Sequence, residues 1–431
     1  MRKGRKRTQE GITRPRQAFE FVRNNVRQLN PELTAEEAEA VENIIPNWRS
    51  ARRGYQKRHR ASFPSITDIF NFPEELIYTK RAAHAQINEP GFEERFVQLR
   101  PRQPGDPQIF IFATDSSIAQ LARSNFVEAD GNFKFPPREP VVFTQVYSIH
   151  GFIRGESFPF LYALLPDKSE ETYRILFQWL RNKIVQVLGN EGAILPATWI
   201  FDYELAATNA IQDVFPEITV KGCTFHYKQA LIRKLNEYGL QAAYRENPAL
   251  RQWFRRFMSL CLTPEHIIPV AARYLMVDEM GVPGQFYPMN LPPHLDECCR
   301  RFSEYFRFWL DPGKIVIWCH YNNDGPRTTN HAEGHHRGLQ NLFPAHHPSL
   351  AEFIHILREK EHSDAIDMRR AATDPHYVPA PRRPEYIALD RQIGIAKNTL
   401  NQHMHTRNGR IEIAVLINHL DHMSYLLYGN N

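Results

Sequence analysis

Three apolar runs between residues 126 and 165 dominate the hydrophobic pattern of the chain. They cover residues 126–129, 141–149 and 158–165, and proline and glycine separate them. Short runs that are rich in Val, Phe, Tyr and Ile and bounded by such breakers are typical of buried strands. The pattern therefore predicts three consecutive strands, and an acidic residue, Asp130, directly follows the first of them.

Beyond these strands, helical and extended spacing alternate. Apolar side chains recur at helical spacing in residues 167–189, and Asp167 or Ser169 can cap the start. A strand is then predicted up to Asp202, a helix that stops at Pro216, and a strand and a helix over residues 218–226 and 227–240. Adjacent strands followed by this alternation predict an α/β fold with a mixed sheet flanked by helices.

The flanking segments predict mainly helix. Residues 34–47 have a capped start, because Glu37 follows Thr34 at capping-box spacing. Residues 108–114 predict a strand, and 241–324 predict helices with aromatic-rich faces. Glu333 falls on a further predicted helix that starts near Thr328 or Thr329. The segment from 375 to 384 is typical of a linker, and the residues after it predict helix.

Composition sets limits on the class of protein. A chain of 431 residues that is 42% hydrophobic has room for two or three folded domains. It contains no apolar run long enough to cross a bilayer and no apolar N-terminal leader, so neither a membrane nor a secreted protein is indicated. The five cysteines are odd in number and scattered, which favours reduced thiols in an intracellular protein over a disulfide framework.

The positive charge is concentrated near the N-terminus. Residues 1–60 contain 15 Lys/Arg and 7 Asp/Glu, whereas the whole chain carries a net charge of only +5. A basic arm of this kind suits a polyanion such as nucleic acid, but it equally suits a solvated tail. The first residues also have the composition of a nuclear-import signal. The basic residues that we predict to contact DNA in this region are Arg2, Lys3, Arg5, Lys6, Arg7, Arg52, Arg53, Lys57, Arg58 and Arg60.

Three acids are the candidates for chemistry. Asp130 and Asp202 each end a predicted strand, and Glu333 lies on a predicted helix. If the strands pair side by side, both aspartates project from the same end of the sheet, where clustered carboxylates need cations between them. Oxygen ligands of this kind select Mg²⁺ or Mn²⁺, and two such ions catalyse phosphodiester transfer. Each acid taken alone is equally well explained as a helix cap or a surface residue.

Four motifs in a fixed order give the chain a resemblance to a known family. They are ADGNFKFPP, the segment YSIHGF with FPFLYALLPDKSEETYRILF, IFDYELAATNAIQDVFPEITVKGCTFHYKQALIRK, and RTTNHAEGHHRGL. In this order, over residues 114–353, they resemble the catalytic domain of Mutator-like element (MULE) transposases, a DDE-type domain with an RNase H-like fold. The resemblance implies that Asp130, Asp202 and Glu333 form a triad that binds two Mg²⁺ or Mn²⁺ ions.

The resemblance also places a Cys-x-x-His motif at Cys223 and His226. Two ligands do not complete a structural zinc site, which normally has four. Two interpretations stay open for this pair. The residues either order the helix beside the active site or touch DNA, or they are a buried cysteine and a hydrogen-bonded histidine. Arg327 and His336, which flank the third acid, are further candidates for contacts with DNA.

The chain departs from the family pattern in two places. Thr329 and Asn330 stand where the family usually has paired asparagines, and His335 replaces a family tryptophan. Relatives often carry a zinc-binding DNA-recognition module of the FLYWCH or WRKY kind at the N-terminus, but no cysteine precedes Cys223. A truncated gene product, a fragment or a domesticated derivative each accounts for this difference.

The expected organisation has five segments. They are a basic, mostly helical region at 1–107, the first part of an RNase H-like core at 108–240, a helical insertion at 241–324, the end of the core with the third acid at 325–370, and a linker with a helical tail at 371–431. We expect a nuclear, oligomeric DNA transposase that holds transposon ends and target DNA. The alternative is a domesticated, transposase-derived DNA-binding protein without cleavage activity.

Overall fold

A mixed sheet organises the centre of the chain. The computed structural model describes residues 15–45, 50–51, 54–55, 57, 63–71, 73–80, 94–189, 198–343, 347–379, 382–407 and 411–429. In this part of the chain the sheet has seven strands in the order β1-β2-β5-β4-β3-β6-β7. The strands are β1 (Val97–Leu99), β2 (Phe110–Phe112), β3 (Phe126–Asn132), β4 (Gln145–Ile153), β5 (Glu156–Leu165), β6 (Thr198–Phe201) and β7 (Thr219–Gly222).

The pairing of the strands changes direction at β3. The first four neighbour pairs, from β1 to β3, are antiparallel, whereas β6 pairs with β3 and β7 pairs with β6 in parallel. Parallel neighbours require crossover connections, and the predicted helices provide them. The α/β class with a mixed sheet is therefore confirmed. Strand β1 lies in a stretch whose sequence signal is weak, and the sequence did not predict it.

Helices cover both faces of the sheet. On one face lie α4 (Asp115–Leu121), α5 (Glu170–Leu188) and α6 (Leu205–Val214), whose apolar side chains form one core with the strands. On the other face lie α13 (Asn330–Gln340) and the first half of α14 (Leu350–Thr373). Helix α5 begins where predicted, since Ser169 Oγ accepts a hydrogen bond from the Thr172 amide at 3.2 Å.

The N-terminal helices are short. They are α1 (Pro15–Asn24), α2 (Val26–Leu29) and α3 (Ala35–Ile44). The predicted capping box is present, because the Thr34 amide donates to Glu37 Oε2 at 2.8 Å and the Glu37 amide donates to Thr34 Oγ1 at 3.3 Å. Tyr55 is fully buried and meets the ring of Phe19 edge-on, 5.7 Å between centroids. Tyr55 therefore packs in a small core.

A second core is entirely helical. It contains α7 (Thr224–Glu237), α8 (Gln241–Glu246), α9 (Pro248–Ser259), α10 (Ile268–Leu275), α11 (Pro293–Arg307) and α12 (Pro312–Trp318). The C-terminal helices α15 (Pro384–His405) and α16 (Ile413–Tyr428) add buried side chains to this same core. The predicted insertion and the predicted tail thus pack together. Among the described helices, none is long and apolar enough to cross a membrane.

Three predicted element boundaries were wrong. Asp130 lies inside β3, opposite Ser148 of β4, rather than beyond the end of the strand. Strand β4 begins at Gln145 rather than at 141, because the Phe143 amide turns back to donate to Pro137 O at 3.1 Å. Strand β7 ends at Gly222, and Cys223 and His226 belong to the start of α7.

Two buried histidines in the helical core predict a loss of stability in acid. Burial lowers the pKa of His320 to about 3 and that of His419 to about 4. Both are neutral in the folded protein, so below the unfolded pKa of about 6.5 the unfolded chain binds more protons. Stability is complete above that pH and falls as the pH drops. Each histidine should cost on the order of 2 kcal/mol between pH 7 and pH 5, at about 1.4 kcal/mol per pH unit.

The measurement is urea unfolding at pH 7, 6 and 5, with His320→Asn and His405→Asn compared with the wild type. His320 has both ring nitrogens in hydrogen bonds, 2.7 Å from Gly222 O and 2.9 Å from Asn323 Nδ2. His405 is exposed. We expect the pH dependence to decrease in His320→Asn and to stay unchanged in His405→Asn. A free energy of unfolding that does not change from pH 7 to pH 5 would contradict the prediction.

Candidate active site

Two acidic residues come together where β6 ends beside the last part of β3. These parallel strands pair with Ala129 opposite Phe201, so the next residues, Asp130 and Asp202, lie at the same level. Both line one cavity of about 720 Å³. A Cβ atom at Gly131 would overlap Gln145 Oε1, so any other residue there would displace the Gln145 side chain. The expectation that the two aspartates meet at one end of the sheet is therefore confirmed.

Helix α13 lies across this end of the sheet and contacts both aspartates. Thr329, its N-cap, donates from Oγ1 to Asp202 Oδ1 at 3.1 Å. Two turns later, His336 Nδ1 lies 3.1 Å from Asp130 Oδ2. Glu333 follows Thr329 by four residues and precedes His336 by three, so all three share a helix face. Glu333 thus lies on the turn between the two contacts, but its side chain does not line the cavity.

Asp202 has two further neighbours, Cys223 and His226, which directly follow strand β7. Phe201 lies opposite Gly222 in the β6–β7 pair, which brings Cys223 beside Asp202. Cys223 is the N-cap of α7, and His226 lies in the first turn. His226 Nδ1 is 2.8 Å from Asp202 Oδ1. The Asp202 carboxylate, with a smaller effect of Cys223, raises the pKa of His226 to about 10, so the imidazole is protonated at neutral pH.

A chain of buried polar side chains extends from Asp130 into the protein through His336, Ser148 and His150. His336 is fully buried, and its Nε2 lies 2.8 Å from Ser148 Oγ, which in turn lies 2.9 Å from His150 Nε2. With its proton on Nδ1, His336 donates to Asp130 and accepts from Ser148. The structure contradicts the prediction that His336 contacts DNA, because the side chain has no exposed surface and both ring nitrogens are engaged.

Glu128 is a site residue that sequence reasoning missed. It lies two residues before Asp130, on the same face of β3, and is fully buried. Its carboxylate is 2.8 Å from His331 Nδ1 and accepts from the Ala332 amide at 3.3 Å. Burial raises the pKa of Glu128, while the His331 contact opposes the shift. Through these two contacts Glu128 links the first turn of α13 to β3. An acid inside an apolar strand was the signal available in the sequence.

Cationic and aromatic side chains form the other walls of the cavity. Lys168, Arg233 and Lys314 line it together with Phe133 and Phe308. The Lys168 ammonium lies 3.9 Å from the centre of the Phe133 ring, and that of Lys314 lies 3.0 Å from the centre of the Phe308 ring. These residues come from distant segments, so no local pattern in the sequence groups them.

The predicted DNA-binding arginines and lysines are only partly described. Lys57 is exposed. Arg327 makes an ion pair with Asp390 of α15, so its guanidinium joins α13 to the C-terminal helices. The others lie outside the described residues: Arg2, Lys3, Arg5, Lys6, Arg7, Arg52, Arg53, Arg58 and Arg60.

The fold and site define an α/β protein whose neighbouring strand ends present two aspartates to one cavity. Residues 138–230 match the family model of the MULE transposase domain. The resemblance to Mutator-like transposases is thus supported over this segment of the chain. The match includes Asp202, Cys223 and His226, whereas Asp130 and Glu333 lie outside it. The comparison with curated proteins found no match. A transposase domain implies interaction with DNA.

Proposed function

We propose that this protein cuts and joins DNA phosphodiesters as a DDE-type transposase with an RNase H-like core. Asp130, Asp202 and Glu333 are the proposed catalytic and metal-binding residues. The observation that carries the proposal is the strand register, which sets Asp130 and Asp202 side by side at the mouth of one cavity. Two neighbouring carboxylates repel each other unless a cation lies between them.

The donor set fits Mg²⁺ or Mn²⁺. Asp130 and Asp202 offer carboxylate oxygens toward the same space, and these hard ligands suit both ions. Glu333 lies on the helix face that contacts both aspartates, but its carboxylate lies 3.5 Å from Arg337 Nη2 and is not close enough to form a three-ligand group with them among the described residues. The proposal therefore requires the Glu333 side chain to turn toward the cavity. Two bound ions would supply activation of the attacking oxygen and stabilisation of the leaving oxygen.

The protein side chains have two tasks in this proposal. Thr329 and His336 hold the two aspartates in fixed orientations through the hydrogen bonds at 3.1 Å. Lys168, Arg233 and Lys314 bring positive charge to the cavity wall, where they would bind the phosphates of the DNA strand. The exposed faces of Phe133 and Phe308 would shield the reacting phosphate from bulk water.

The test is Mg²⁺ and Mn²⁺ binding by calorimetry, with DNA present and absent. We expect wild-type binding to be lost or strongly weakened in Asp202→Asn and in Glu333→Gln. Glu304→Gln is the matched control, since the Glu304 side chain is 77% exposed on α11. Binding by the wild type that persists in both variants would overturn the assignment. If the wild type binds neither Mg²⁺ nor Mn²⁺, the alternative of a DNA-binding protein without cleavage activity is favoured.

A further prediction concerns His336, a positioning residue that acts through Asp130. His336→Ala removes the donor to Asp130 Oδ2, and His336→Asn keeps a donor near the Nδ1 position. Supporting residues of this kind typically contribute 10–100-fold to metal affinity. We expect Mg²⁺ affinity to fall about 10–100-fold in the alanine variant and to be largely restored in the asparagine variant. Equal losses in both would indicate a packing role only.

The same function sets the assembly and the compartment that we propose. Joining two transposon ends requires that both be held at once, so the active form is proposed to be a homo-oligomer in the nucleus. Light scattering of the purified protein with and without DNA tests the first point, and imaging of the tagged protein tests the second.

A further inference from the structure

Asp202, Cys223 and His226 form a compact group, which we call the Cys-His-Asp cluster. One ligand atom from each residue, Oδ1 or Oδ2, Sγ, and a ring nitrogen, lies within 4.8 Å of the other two. Among the described residues this is the group of three or more such side chains that is close enough to hold one ion. We propose that the cluster is a zinc site, which shares Asp202 with the proposed Mg²⁺ site and differs from it in its thiolate and imidazole ligands.

The backbone brings the three ligands together. The parallel pairing of β6 with β7 puts Asp202 and Cys223 at neighbouring strand ends, and the Cys223 amide donates to Phe201 O at 2.7 Å. Helix α7 begins at once, so His226 follows Cys223 by three residues on the same helix face. The cluster is therefore fixed by the sheet and by a helix start rather than by mobile loops.

The contact between His226 and Asp202 is shorter than the spacing of two ligands around one ion. His226 Nδ1 is buried and lies 2.8 Å from Asp202 Oδ1, but off the direction of an aligned hydrogen bond. Around a tetrahedral zinc ion, with bonds of about 2.0–2.3 Å, ligand atoms stand about 3.3–3.8 Å apart. Small side-chain rotations would bring the three atoms to this spacing.

The ligand types select zinc over magnesium. A thiolate and a neutral imidazole are borderline-to-soft ligands that bind Zn²⁺ well, whereas Mg²⁺ prefers oxygen. Zinc would therefore displace the protons of Cys223 and His226 when it binds. Three protein ligands with an open fourth position are the pattern of zinc sites that stay accessible to solvent. Asp202 and His226 both line the cavity, so an ion can reach the cluster from there.

Thr329 holds two of the ligands in place. Its amide donates to Cys223 Sγ at 3.4 Å, and its Oγ1 lies 3.1 Å from Asp202 Oδ1 and 3.6 Å from Sγ. Such supporting hydrogen bonds orient ligands in metal sites. Because α13 begins at Thr329, occupation of the cluster would also fix the helix that carries Glu333.

The zinc site does not rest on the proposed transposase activity, since it needs only these three side chains. The experiment is titration of the metal-free protein with Co²⁺, followed by displacement with Zn²⁺. Cobalt in a site with a thiolate gives a near-ultraviolet charge-transfer band and visible bands. We expect one equivalent of Co²⁺ to produce both, and Zn²⁺ to remove them.

Variants locate the site. Cys223→Ser should abolish the charge-transfer band, and His226→Gln should weaken Zn²⁺ binding by at least about tenfold. Cys298→Ser is the matched control, because Cys298 is a partly exposed thiol on α11 and should leave the spectrum unchanged. Asp130→Asn separates the two proposals, since it should lose Mg²⁺ binding but keep the cobalt spectrum.

Two results would overturn the zinc site. One is Co²⁺ binding without a charge-transfer band, which would mean that no thiolate is bound. The other is a band that survives in Cys223→Ser or disappears in Cys298→Ser. Circular dichroism checks that each variant is folded. If Cys223→Ser fails to fold, the Zn²⁺ affinity of His226→Gln tests the site instead, because the His226 side chain is 25% exposed and its replacement disturbs the core less.

Discussion

Replacing Asp130 with Asn is expected to reduce Mg²⁺-dependent DNA cleavage by at least about 10³-fold, equal to about 4 kcal/mol of transition-state stabilisation. The amide has nearly the same shape as the carboxylate, so the contact with His336 and the β3–β4 pairing should survive. What the amide removes is the negative charge that would hold a cation beside Asp202. The loss should therefore appear in the reaction and not in the fold.

The measurement is nicking of supercoiled plasmid DNA in Mg²⁺ and in Mn²⁺. Asp324→Asn provides the matched control, because it makes the same change in charge at a side chain that is 98% exposed. We expect Asp324→Asn to keep the wild-type rate. An Asp130→Asn variant that cleaves DNA as fast as the wild type would contradict the assignment of Asp130 as a catalytic residue, regardless of the results for Asp202 and Glu333.

The second large effect is on stability. Leu420 of α16 is fully buried in the helical core that α7–α12 share with the C-terminal helices. Leu420→Ala is expected to lower the free energy of unfolding by about 2–5 kcal/mol, because it removes buried methyl groups and leaves a cavity. A loosely attached tail would show almost no effect. Urea unfolding followed by circular dichroism measures the change.

Tyr425→Ala is the control for this prediction. It lies on the same helix, and its side chain is 54% exposed. Exposed substitutions of this kind usually change stability by less than about 0.5 kcal/mol. Equal and small effects at Leu420 and Tyr425 would mean that α16 contributes little to the helical core.

The sequence pattern predicted the central elements well where local signals are strong. Helix α5 has a capping serine, a long apolar stripe and Gly189 in the left-handed conformation at its end, and its predicted and observed bounds nearly coincide. The three apolar runs became β3, β4 and β5. The short strand β1 escaped prediction because polar residues lie in and around it, whereas the equally short β2 lies in an apolar run.

The candidate site was predictable only in part. Asp130 and Asp202 stood out because each follows an apolar run. Their positions side by side depend on the register between β3 and β6, which a sequence pattern does not show. Glu128 was overlooked although it lies two residues from Asp130 on the same strand face. The prediction that His336 contacts DNA was wrong, because nothing in the local sequence shows that α13 packs it against Ser148.

The sequence by itself determined the class of fold, the order of the central elements other than β1, the two aspartates that follow apolar runs and the motifs that resemble Mutator-like transposases. Only the tertiary structure decided that Cys223 and His226 stand beside Asp202, that α13 bridges both aspartates, and that the C-terminal helices complete the core of the insertion. The physical reason is the distance along the chain over which each kind of interaction acts. Periodicity and caps report how each residue meets its near neighbours, whereas register and helix packing join segments that are distant along the chain.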